Sequence, residues 1–513
     1  MKPEEAKPET KKTNMEGNSR MHASSRRSFL KTAALGTAAV ALAGHASAVV
    51  GRRKPNLLFI NVDQMSHFAV PAFGGTRVKT PNLERLMARG TTFEQTYCAD
   101  PVCCPSRACW FTGRAPTENG VLYNDNRCQL RKDLPDLGAW LRGQAGYETF
   151  HVGKWHVTGR DVEDSYTVLH PGSVDGEHTD MAIAQACEGV LKNRGAGGSP
   201  FLLVAGLMNP HDICAFSGVN AAWPKEFPYP IIEDQLPPLP ANFQFDAREP
   251  EFFRTFVRNG QQLHAQKWSD QIWRYYIWCY ERQAEMVDAA LGQILDALES
   301  SAHADNTIVV FTADHGDAMA SHRLSAKVNL YEQATRVPLI VSWPGQVAAG
   351  KIDRTHAASG FDLVPTLCDY AGITPPLDQR GFSLRPVLER NNQPWRDYVV
   401  SHSLVAGRMV RSARYKYITY QGSPTEQLFD LGNDPGETRN LAAESSGTSV
   451  LNDHRRMLAE WESRLKPMAE PPGGWLKQIS LIQVMDKVNA RSKGNAGKNA
   501  AKAQQNNQKE TAP

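Results

Sequence analysis

Short, mainly apolar runs that each end in polar or charged residues constrain the fold of this chain most. They occupy residues 57–62, 147–152, 201–207, 307–311 and 337–341. Runs of this length, without strict alternation of apolar and polar residues, are typical of strands that are buried on both faces. Because helical patterns lie between them, the sequence predicts an α/β fold with a large, mostly parallel central sheet and helices on both faces.

Two helical patterns are the clearest. Apolar residues at spacings of three and four between Ile277 and Ile294 predict one face of a helix directly before the strand at 307–311. Residues 81–89 predict another helix, with Thr80 as its N-cap and a proline in its first turn. Helices of this kind would cover the faces of the predicted sheet.

Four of the predicted strands are followed by ionisable residues. Asp63 ends the first run, Lys154 follows the second, His211 the third and Asp314 the fourth. In open α/β sheets, ligands bind beyond the carboxyl ends of the strands. Chance would place one or two such residues at strand ends, so four of them predict a functional site at this edge of the sheet.

The pattern changes after Pro386, where short strand-like pieces are separated by turns. A helical pattern around residues 451–465 follows them. Together they predict a small antiparallel C-terminal subdomain. The strand-like pieces lie at residues 398–400, 407–410 and 415–418.

The two ends of the chain are basic and its middle is acidic. Residues 1–48 carry eight Lys and Arg against four Asp and Glu, and residues 484–513 carry six against two. Since the whole chain has a formal charge of +3, residues 49–483 have a charge of −5. The whole-chain balance is not typical of a nucleic-acid-binding protein, and no nucleic-acid partner is expected.

The first 48 residues resemble a twin-arginine export signal. Arg26 and Arg27 precede an Ala-rich apolar run at residues 32–43, and small residues at 46–48 provide a cleavage site. The run is too short and too weakly apolar for a stable membrane span, and a disordered basic arm is the alternative. The signal implies the twin-arginine translocase as a partner and a periplasmic or secreted location.

A cysteine-rich string provides the most specific motif. The chain has nine Cys, but the spacing between Cys98 and Cys109 does not fit the usual zinc-binding pairs. Cys103-Cys104-Pro105-Ser106-Arg107 is followed, after four residues, by Thr112-Gly113-Arg114. This C-x-P-S-R-x4-T-G-R string resembles the signature of the type I sulfatases, members of the alkaline-phosphatase-like superfamily, in which the first Cys is oxidised to formylglycine.

The resemblance extends from about residue 54 to residue 441. It implies the alkaline-phosphatase-like α/β sandwich, in agreement with the strand pattern, and the activity of a sulfuric-ester hydrolase. Together with the export signal and the composition of the C-terminal end, it divides the chain into a signal at 1–48, a catalytic domain at 49–390, a C-terminal subdomain at 391–475 and a disordered basic tail at 476–513. Other matching segments are Gly153–His156, Pro210-His211, Asp314–Gly316, Lys327, Arg336–Pro338 and Leu428–Leu431.

The resemblance also implies how the nucleophile works. Cys103, once converted to an aldehyde and hydrated, would attack with one hydroxyl and release sulfate with the other. Arg107 would hold and stabilise this diol. A formylglycine-generating or equivalent maturation enzyme is therefore an implied partner.

Four further residues take roles by the same resemblance. Lys154 and Lys327 would bind sulfate oxygens and offset the charge that develops on them. His156 would accept the proton of the second hydroxyl, and His211 would protonate the departing alcohol.

A divalent cation completes the implied site. Hard oxygen ligands suit Ca²⁺, with Mg²⁺ as the alternative. Gln64 and His315 stand where many relatives have Asp and Asn, which lowers the number of carboxylates. The implied ligands are Asp63, Gln64, Asp314, His315 and the converted Cys103.

The substrate class favoured by the sequence is a sulfated carbohydrate. Residues 215–267, rich in Pro and aromatic residues, predict a long and functional loop insertion. The aromatic residues Trp268, Trp273, Tyr275 and Tyr276 that follow, together with Arg274, either stack on sugar rings or belong to the core. His322 is either structural or adjacent to the bound sulfate.

Three other functions stay open on the sequence. The Asp63-Gln64 pair also occurs in enzymes resembling choline sulfatases and in phosphonate or phosphodiester hydrolases of the same superfamily. The third alternative is a non-catalytic protein that binds sulfated glycans.

Overall fold

An eight-stranded sheet runs through the centre of the computed structural model, which describes residues 53–173, 175–219, 227, 229–244, 248–261, 265–389, 394–470 and 474. A two-stranded and a four-stranded sheet accompany it. The strands are β1 (Asn56–Asp63), β2 (Thr91–Phe93), β3 (Thr96–Tyr97), β4 (Glu148–Gly153), β5 (Thr167–His170), β6 (Phe201–Pro210), β7 (Thr307–Ala313), β8 (Leu339–Ser342), β9 (Lys351–Asp353), β10 (Ala358–Ser359), β11 (Tyr398–Ser403), β12 (Gly407–Ser412), β13 (Tyr415–Tyr420) and β14 (Gln427–Asp430).

The large sheet has the strand order β5-β4-β6-β1-β7-β8-β2-β9. The first five strands in this order are parallel neighbours, whereas β8 is antiparallel to both β7 and β2. Every residue of β1, β6 and β7 is buried, as expected for strands covered on both faces. The prediction of a large, mostly parallel sheet is confirmed.

Helices cover both faces of this sheet. They are α1 (Pro81–Arg89), α2 (Cys103–Thr112), α3 (Pro116–Asn119), α4 (Leu137–Ala145), α5 (Gly176–Asn193), α6 (Ile213–Val219), α7 (Asp270–Glu299), α8 (Glu332–Thr335), α9 (Leu363–Tyr370), α10 (Arg385–Glu389) and α11 (Thr448–Ser463).

Alternate side chains of β1 enter two hydrophobic cores. Leu58, Ile60 and Val62 pack in one core with α5 and α7. Leu57 and Phe59 pack in the other with α2, α4 and α9. Since successive side chains of a strand point to opposite faces, this is the packing of a three-layer α/β sandwich.

Asp288 of α7 provides the side-chain cap of α1 that the sequence predicted from Thr80. The bounds of α1 agree with the prediction, but the Thr80 hydroxyl has no hydrogen-bond partner. Instead, Asp288 Oδ1 accepts from the backbone N–H of Leu83 at 2.7 Å, and Oδ2 accepts from that of Asn82 at 3.1 Å. A carboxylate from a neighbouring helix is a charged acceptor and therefore a stronger cap.

The described part of the insertion at residues 215–267 contains helical turns as well as loop. Within its described part lie a short helix at Pro230–Gln235 and a π-helix at Phe253–Gln261. Phe253 and Val257 pack in a buried cluster with side chains of β12 and β13. These apolar side chains are buried against the C-terminal sheet, so this described part of the insertion contributes to the core, and the predicted function of the insertion stays a prediction.

The C-terminal sheet consists of β11, β12, β13 and β14 in that order, all antiparallel. Val410 and Tyr417 from this sheet pack against Leu451, Leu458 and Trp461 of α11. The small antiparallel subdomain is therefore confirmed, while its boundary at residue 391 stays a prediction.

The predicted export signal at 1–48 and the predicted basic tail at 476–513 lie outside the described residues. Within the described ranges, no helix has both the length and the apolar character needed to cross a membrane.

A buried lysine joins the C-terminal sheet to α8. Lys416 Nζ lies 3.2 Å from Glu332 Oε1 and 2.9 Å from Glu437 Oε1, and all three side chains are buried. Burial raises the pKa of Glu437 to about 7, an effect that Lys416 opposes and the neighbouring Glu332 reinforces. Two carboxylates thus share one ammonium group.

This arrangement predicts that the difference in stability between the wild type and a Glu437→Gln variant depends on pH. Glu437 binds its proton more tightly in the folded chain, so its ionisation costs stability as pH rises from about 4.5 through about 7. Glu437→Gln removes that cost, and the variant's melting temperature relative to the wild type should therefore increase across this window. Thermal unfolding on both sides of the window measures the effect.

Glu444→Gln is the matched control. Glu444 is ionised already, since its hydrogen bond with Arg439 lowers its pKa, so this variant should follow the wild type across the window. A Glu437→Gln profile parallel to that of the wild type would show that folding does not raise the pKa of Glu437.

Candidate active site

Four neighbouring strands bring charged side chains to one edge of the large sheet. Asp63 is the last residue of β1, and Lys154, His211 and Asp314 directly follow β4, β6 and β7. These strands are adjacent and parallel in the order β4-β6-β1-β7. Their carboxyl ends therefore bring together the four residues that the sequence placed at strand ends.

Helix α2 delivers the motif residues to the same edge. Cys103 is its first residue and Arg107 lies one turn later, so both side chains project from one face of the helix. Cys103 Sγ lies 3.3 Å from His315 Nε2 and 3.7 Å from Asp63 Oδ1. Every residue of α2 is buried, which leaves the helix little freedom to move relative to the strands.

Arg107 binds the ends of three strands at once. Its Nε lies 2.9 Å from Asp314 Oδ2, and its Nη2 lies 3.2 Å from Asp63 Oδ2. Its Nη1 donates to Asn61 Oδ1 and to the Lys154 carbonyl, both at 3.0 Å. Burial alone lowers the pKa of Arg107, but the Asp314 and Asp63 carboxylates raise it, and the guanidinium stays charged.

His315 presents a ring nitrogen to the cluster. Its Nδ1 lies 2.9 Å from the carbonyl oxygen of Gly316, which only accepts hydrogen bonds, so the proton sits on Nδ1 in the neutral ring. In that neutral ring, the Nε2 lone pair faces Cys103. Burial lowers the pKa of His315, but Asp314 and Cys103 raise it overall, so the protonated ring is favoured beside the cysteine. The ligand atoms of Asp63, Cys103, Asp314 and His315 all lie within 4.8 Å of one another.

Two lysines supply positive charge around the cysteine. Lys327 Nζ lies 2.7 Å from Cys103 Sγ, and Lys154 Nζ lies 2.6 Å from Asp63 Oδ2. Burial and Asp63 raise the pKa of the Cys103 thiol, but Lys327, Lys154 and His315 outweigh them and hold it well below its ordinary value. The pocket therefore favours a negative charge at the position of Sγ.

His211 is held in its protonated form. Burial lowers its pKa, but the Asp63 charge and hydrogen bonds with Cys103 and Cys214 raise it to about 10. A protonated imidazole beside Cys103 can donate a proton within the pocket.

Two of the predicted site residues make no direct contact with Cys103 among the contacts of the described residues. His156 has a left-handed backbone (φ 52°) and an exposed side chain, and the structure does not bring its ring into the Cys103 cluster. Gln64, also left-handed (φ 70°), has its amide between Asp317 Oδ2 at 2.9 Å and Cys214 Sγ at 3.3 Å. Their predicted roles as base and metal ligand stay predictions.

Three residues of the site were missed by the sequence analysis. Asn61, Cys214 and Asp317 all hydrogen-bond to predicted site residues. Asn61 lies two positions before Asp63 on the same strand, so a side chain on the same face was the available signal. Burial raises the pKa of Asp317, and hydrogen bonds from Tyr276, the Met319 amide and Gln64 oppose that rise.

The aromatic residues after the insertion belong mainly to the core. Trp268, Trp273 and Tyr276 are buried, at 7%, 0% and 1% exposure. Of the two roles that the sequence left open, packing is the one observed for these three. His322 is also buried and stacks on Tyr331 with ring centroids 3.9 Å apart.

Comparison with protein families identifies the chain. A family model described as Sulfatase matches residues 55–373, which is more than half of the sequence. The chain belongs to the sulfatase family. A second model, N-sulphoglucosamine sulphohydrolase, C-terminal, matches residues 320–464. The predicted membership of the alkaline-phosphatase-like superfamily and the predicted enzymatic activity, that of a sulfatase, are both confirmed.

Individual relatives and solved structures agree with the family. The sulfatase is 34% identical over 446 residues to a Delta 4,5-hexuronate-2-O-sulfatase of Bacteroides thetaiotaomicron, covering 82% of this chain and 91% of the relative. It is 26% identical to an N-acetylglucosamine-6-O-sulfatase of the same organism, covering 81% and 87%. The structure of a 2-O GAG sulfatase matches with a TM-score of 0.71 and 32% identity, covering 83% of this chain and 98% of that one.

Loss of Arg107 should destabilise this sulfatase strongly. In Arg107→Met, Asp314 loses its guanidinium partner while Asp63 keeps its contact with Lys154, and breaking a buried ion pair costs about 3–5 kcal/mol. Thermal and denaturant unfolding without added divalent cation measure this loss.

The second arginine of the motif is the control. Arg114 is partly buried and lies 2.8 Å from the Leu377 carbonyl and 3.4 Å from Asp378 Oδ2, so Arg114→Met should cost no more than about 1 kcal/mol. Equal losses in the two variants would show that Arg107 does not compensate the two carboxylates.

Proposed function

We propose that this sulfatase removes a sulfate ester from a sulfated carbohydrate, using a formylglycine derived from Cys103 and a divalent cation. One observation carries the proposal: Cys103 is buried at the start of α2, with Lys327 Nζ 2.7 Å and Asp63 Oδ1 3.7 Å from its Sγ. In the mature enzyme, an aldehyde-derived oxygen would occupy the position of Sγ. A hydrated aldehyde supplies one hydroxyl that attacks sulfur and a second whose deprotonation releases sulfate.

The donor set fits a divalent cation. Asp63 and Asp314 offer carboxylate oxygens, and the tautomer fixed by Gly316 leaves His315 Nε2 free to coordinate. Together with the Gln64 amide oxygen and the oxygen at position 103, they would hold Ca²⁺, with Mg²⁺ as the alternative. Such an ion would polarise a sulfate oxygen as a Lewis acid.

The charged side chains suit an anionic ester. Lys154 and Lys327 would bind the peripheral sulfate oxygens and offset the charge that grows on them. His211 would donate its proton to the departing sugar oxygen, since its pKa is raised to about 10 and the ring is protonated at neutral pH. His156, whose side chain is exposed, would accept the proton that sulfate release requires.

The names of two relatives suggest which sulfated sugar to test first. Both the 34% identical relative and the solved structure at 32% identity are named for 2-O-sulfate chemistry, one of them on a Delta 4,5-hexuronate. We therefore propose a 2-O-sulfated, unsaturated hexuronate as the first substrate to test. We also propose that a maturation enzyme converts Cys103 and that the twin-arginine translocase exports the folded protein.

A substrate comparison tests this function. Protein coexpressed with a formylglycine-generating enzyme should release sulfate from a 2-O-sulfated unsaturated hexuronate faster than from a 6-O-sulfated N-acetylglucosamine or an aryl phosphonate. Cys103→Ala should reduce turnover by at least ~10³-fold, because it removes the nucleophile. Ion chromatography of released sulfate measures the rates, and mass spectrometry of the peptide carrying Cys103 measures conversion.

Cys104 provides a matched control. It is the adjacent buried cysteine of the same helix and packs in the α2 side of the core, so Cys104→Ala should keep most of the turnover. Faster phosphonate hydrolysis, or full activity with an unmodified thiol at position 103, would overturn the proposal.

A further inference from the structure

Asp317 is a buried carboxylate two residues beyond His315, and each of its oxygens accepts hydrogen bonds. Its Oδ2 accepts from Gln64 Nε2 at 2.9 Å and from the Tyr276 hydroxyl at 2.7 Å. Its Oδ1 accepts from the backbone N–H of Met319 at 2.7 Å. Three donors from three separate segments thus converge on one side chain.

These contacts determine which way the Gln64 amide faces. The Tyr276 hydroxyl accepts from the backbone N–H of Ala326, so its own proton is directed to Asp317. Asp317 therefore acts as an acceptor toward every partner, and Gln64 must turn its NH₂ group toward it. The amide oxygen of Gln64 then lies on the opposite side, where Cys214 Sγ donates to it at 3.3 Å.

The opposite side is the catalytic pocket. Cys214 hydrogen-bonds with His211, which also hydrogen-bonds with Cys103. The backbone N–H of Gln64 donates to Asp314 Oδ1 at 3.0 Å, so the residue is fixed at both its main chain and its side chain. An amide oxygen rather than an amide nitrogen is offered to the pocket, and only the oxygen can coordinate a hard cation.

The same carboxylate also supports the lysine loop. Tyr276 bridges from Asp317 to the backbone N–H of Ala326, and the Ala326 carbonyl accepts from the N–H of Ala318 at 2.8 Å. Ala326 directly precedes Lys327 and has a left-handed backbone (φ 54°). A non-glycine residue keeps this conformation only where its surroundings hold it.

We propose that Asp317 is a positioning residue that orients the Gln64 amide so that its oxygen faces the cation site. This inference rests on the proposed function, which places a divalent cation beside Asp63, Asp314 and His315. It assigns Asp317 a task that no motif of the sequence indicates, and it predicts a specific dependence of metal affinity on a residue that does not itself touch the metal.

Asp317→Asn tests this directly. The Met319 N–H holds the oxygen of the introduced amide on its own side, so the new NH₂ group faces Gln64 and forces its amide to turn around. Loss of an outer partner that orients a ligand typically weakens metal binding about 10–100-fold. Titration calorimetry with CaCl₂ on the full-length protein should show a weakening in this range, without reference to turnover.

A double variant distinguishes a change in the orientation of the side chain at position 64 from a general disturbance of the structure. A carboxylate at position 64 offers oxygen whichever way it faces and can accept from the amide introduced at position 317. Combining Gln64→Glu with Asp317→Asn should therefore recover most of the lost affinity. Tyr276→Phe breaks the tie to Ala326 but keeps the Asp317–Gln64 contact, so it should lower thermal stability and leave Ca²⁺ affinity near that of the wild type.

Asp362→Asn is the control for loss of a buried carboxylate elsewhere. Asp362 pairs with Arg396 at 2.6 Å, so its change should lower the melting temperature without altering Ca²⁺ affinity. Wild-type Ca²⁺ affinity in Asp317→Asn, or no recovery of Ca²⁺ affinity in the double variant, would overturn the positioning role of Asp317. Neither result would contradict the proposed function. If the wild type binds neither Ca²⁺ nor Mg²⁺, the cation in the proposed function is overturned, and this role falls with it.

Discussion

The pairing of one buried guanidinium with two buried carboxylates is the constraint on which the rest of the site depends. Asp63 and Asp314 end adjacent strands, and two negative charges at such close range in a dry pocket repel each other strongly. Arg107 reduces this repulsion because its guanidinium donates hydrogen bonds to both carboxylates. The two carboxylates are stabilised unequally. Burial raises the pKa of Asp63, but Lys154 and three further cationic side chains together hold it well below its ordinary value, whereas burial and Asp63 raise the pKa of Asp314. A divalent cation at the proposed site would stabilise the ionised form of both.

The central sheet and the C-terminal subdomain position different residues of the site. Strand ends, which are rigid, carry Asp63, Asp314 and the anchor points of Arg107, whereas Lys327 lies on an irregular segment. That segment is braced from the subdomain, since Ser403 Oγ donates to the Val328 carbonyl and the Val328 N–H bonds to Pro101, two residues before Cys103. The sheet β11–β14 therefore supports the side of the pocket that the central sheet does not reach.

Local sequence patterns predicted the features of the fold that neighbouring residues in the chain determine. Buried strands and the residues at their ends follow from apolar runs, whereas Cys103 and Arg107 were assigned to the site because their motif resembles the sulfatase signature. What the sequence could not show depends on contacts between distant segments. Asp317 acquires its role only because Tyr276, more than forty residues earlier in the chain, reaches it. Trp273 could not be assigned to core or surface until its neighbours were known.

The cationic side chains around position 103 favour a negative charge there. Lys327 and Lys154 lower the pKa of the thiol there, and a field that stabilises a thiolate also stabilises negative charge developing on a sulfate oxygen at the same place. Asp63 offsets the repulsion between Lys154 and Arg107, because both of these side chains contact its carboxylate. This one carboxylate thus allows positive charge to collect inside a protein whose middle portion is net negative, and the overall charge of the chain says nothing about the charge of its site.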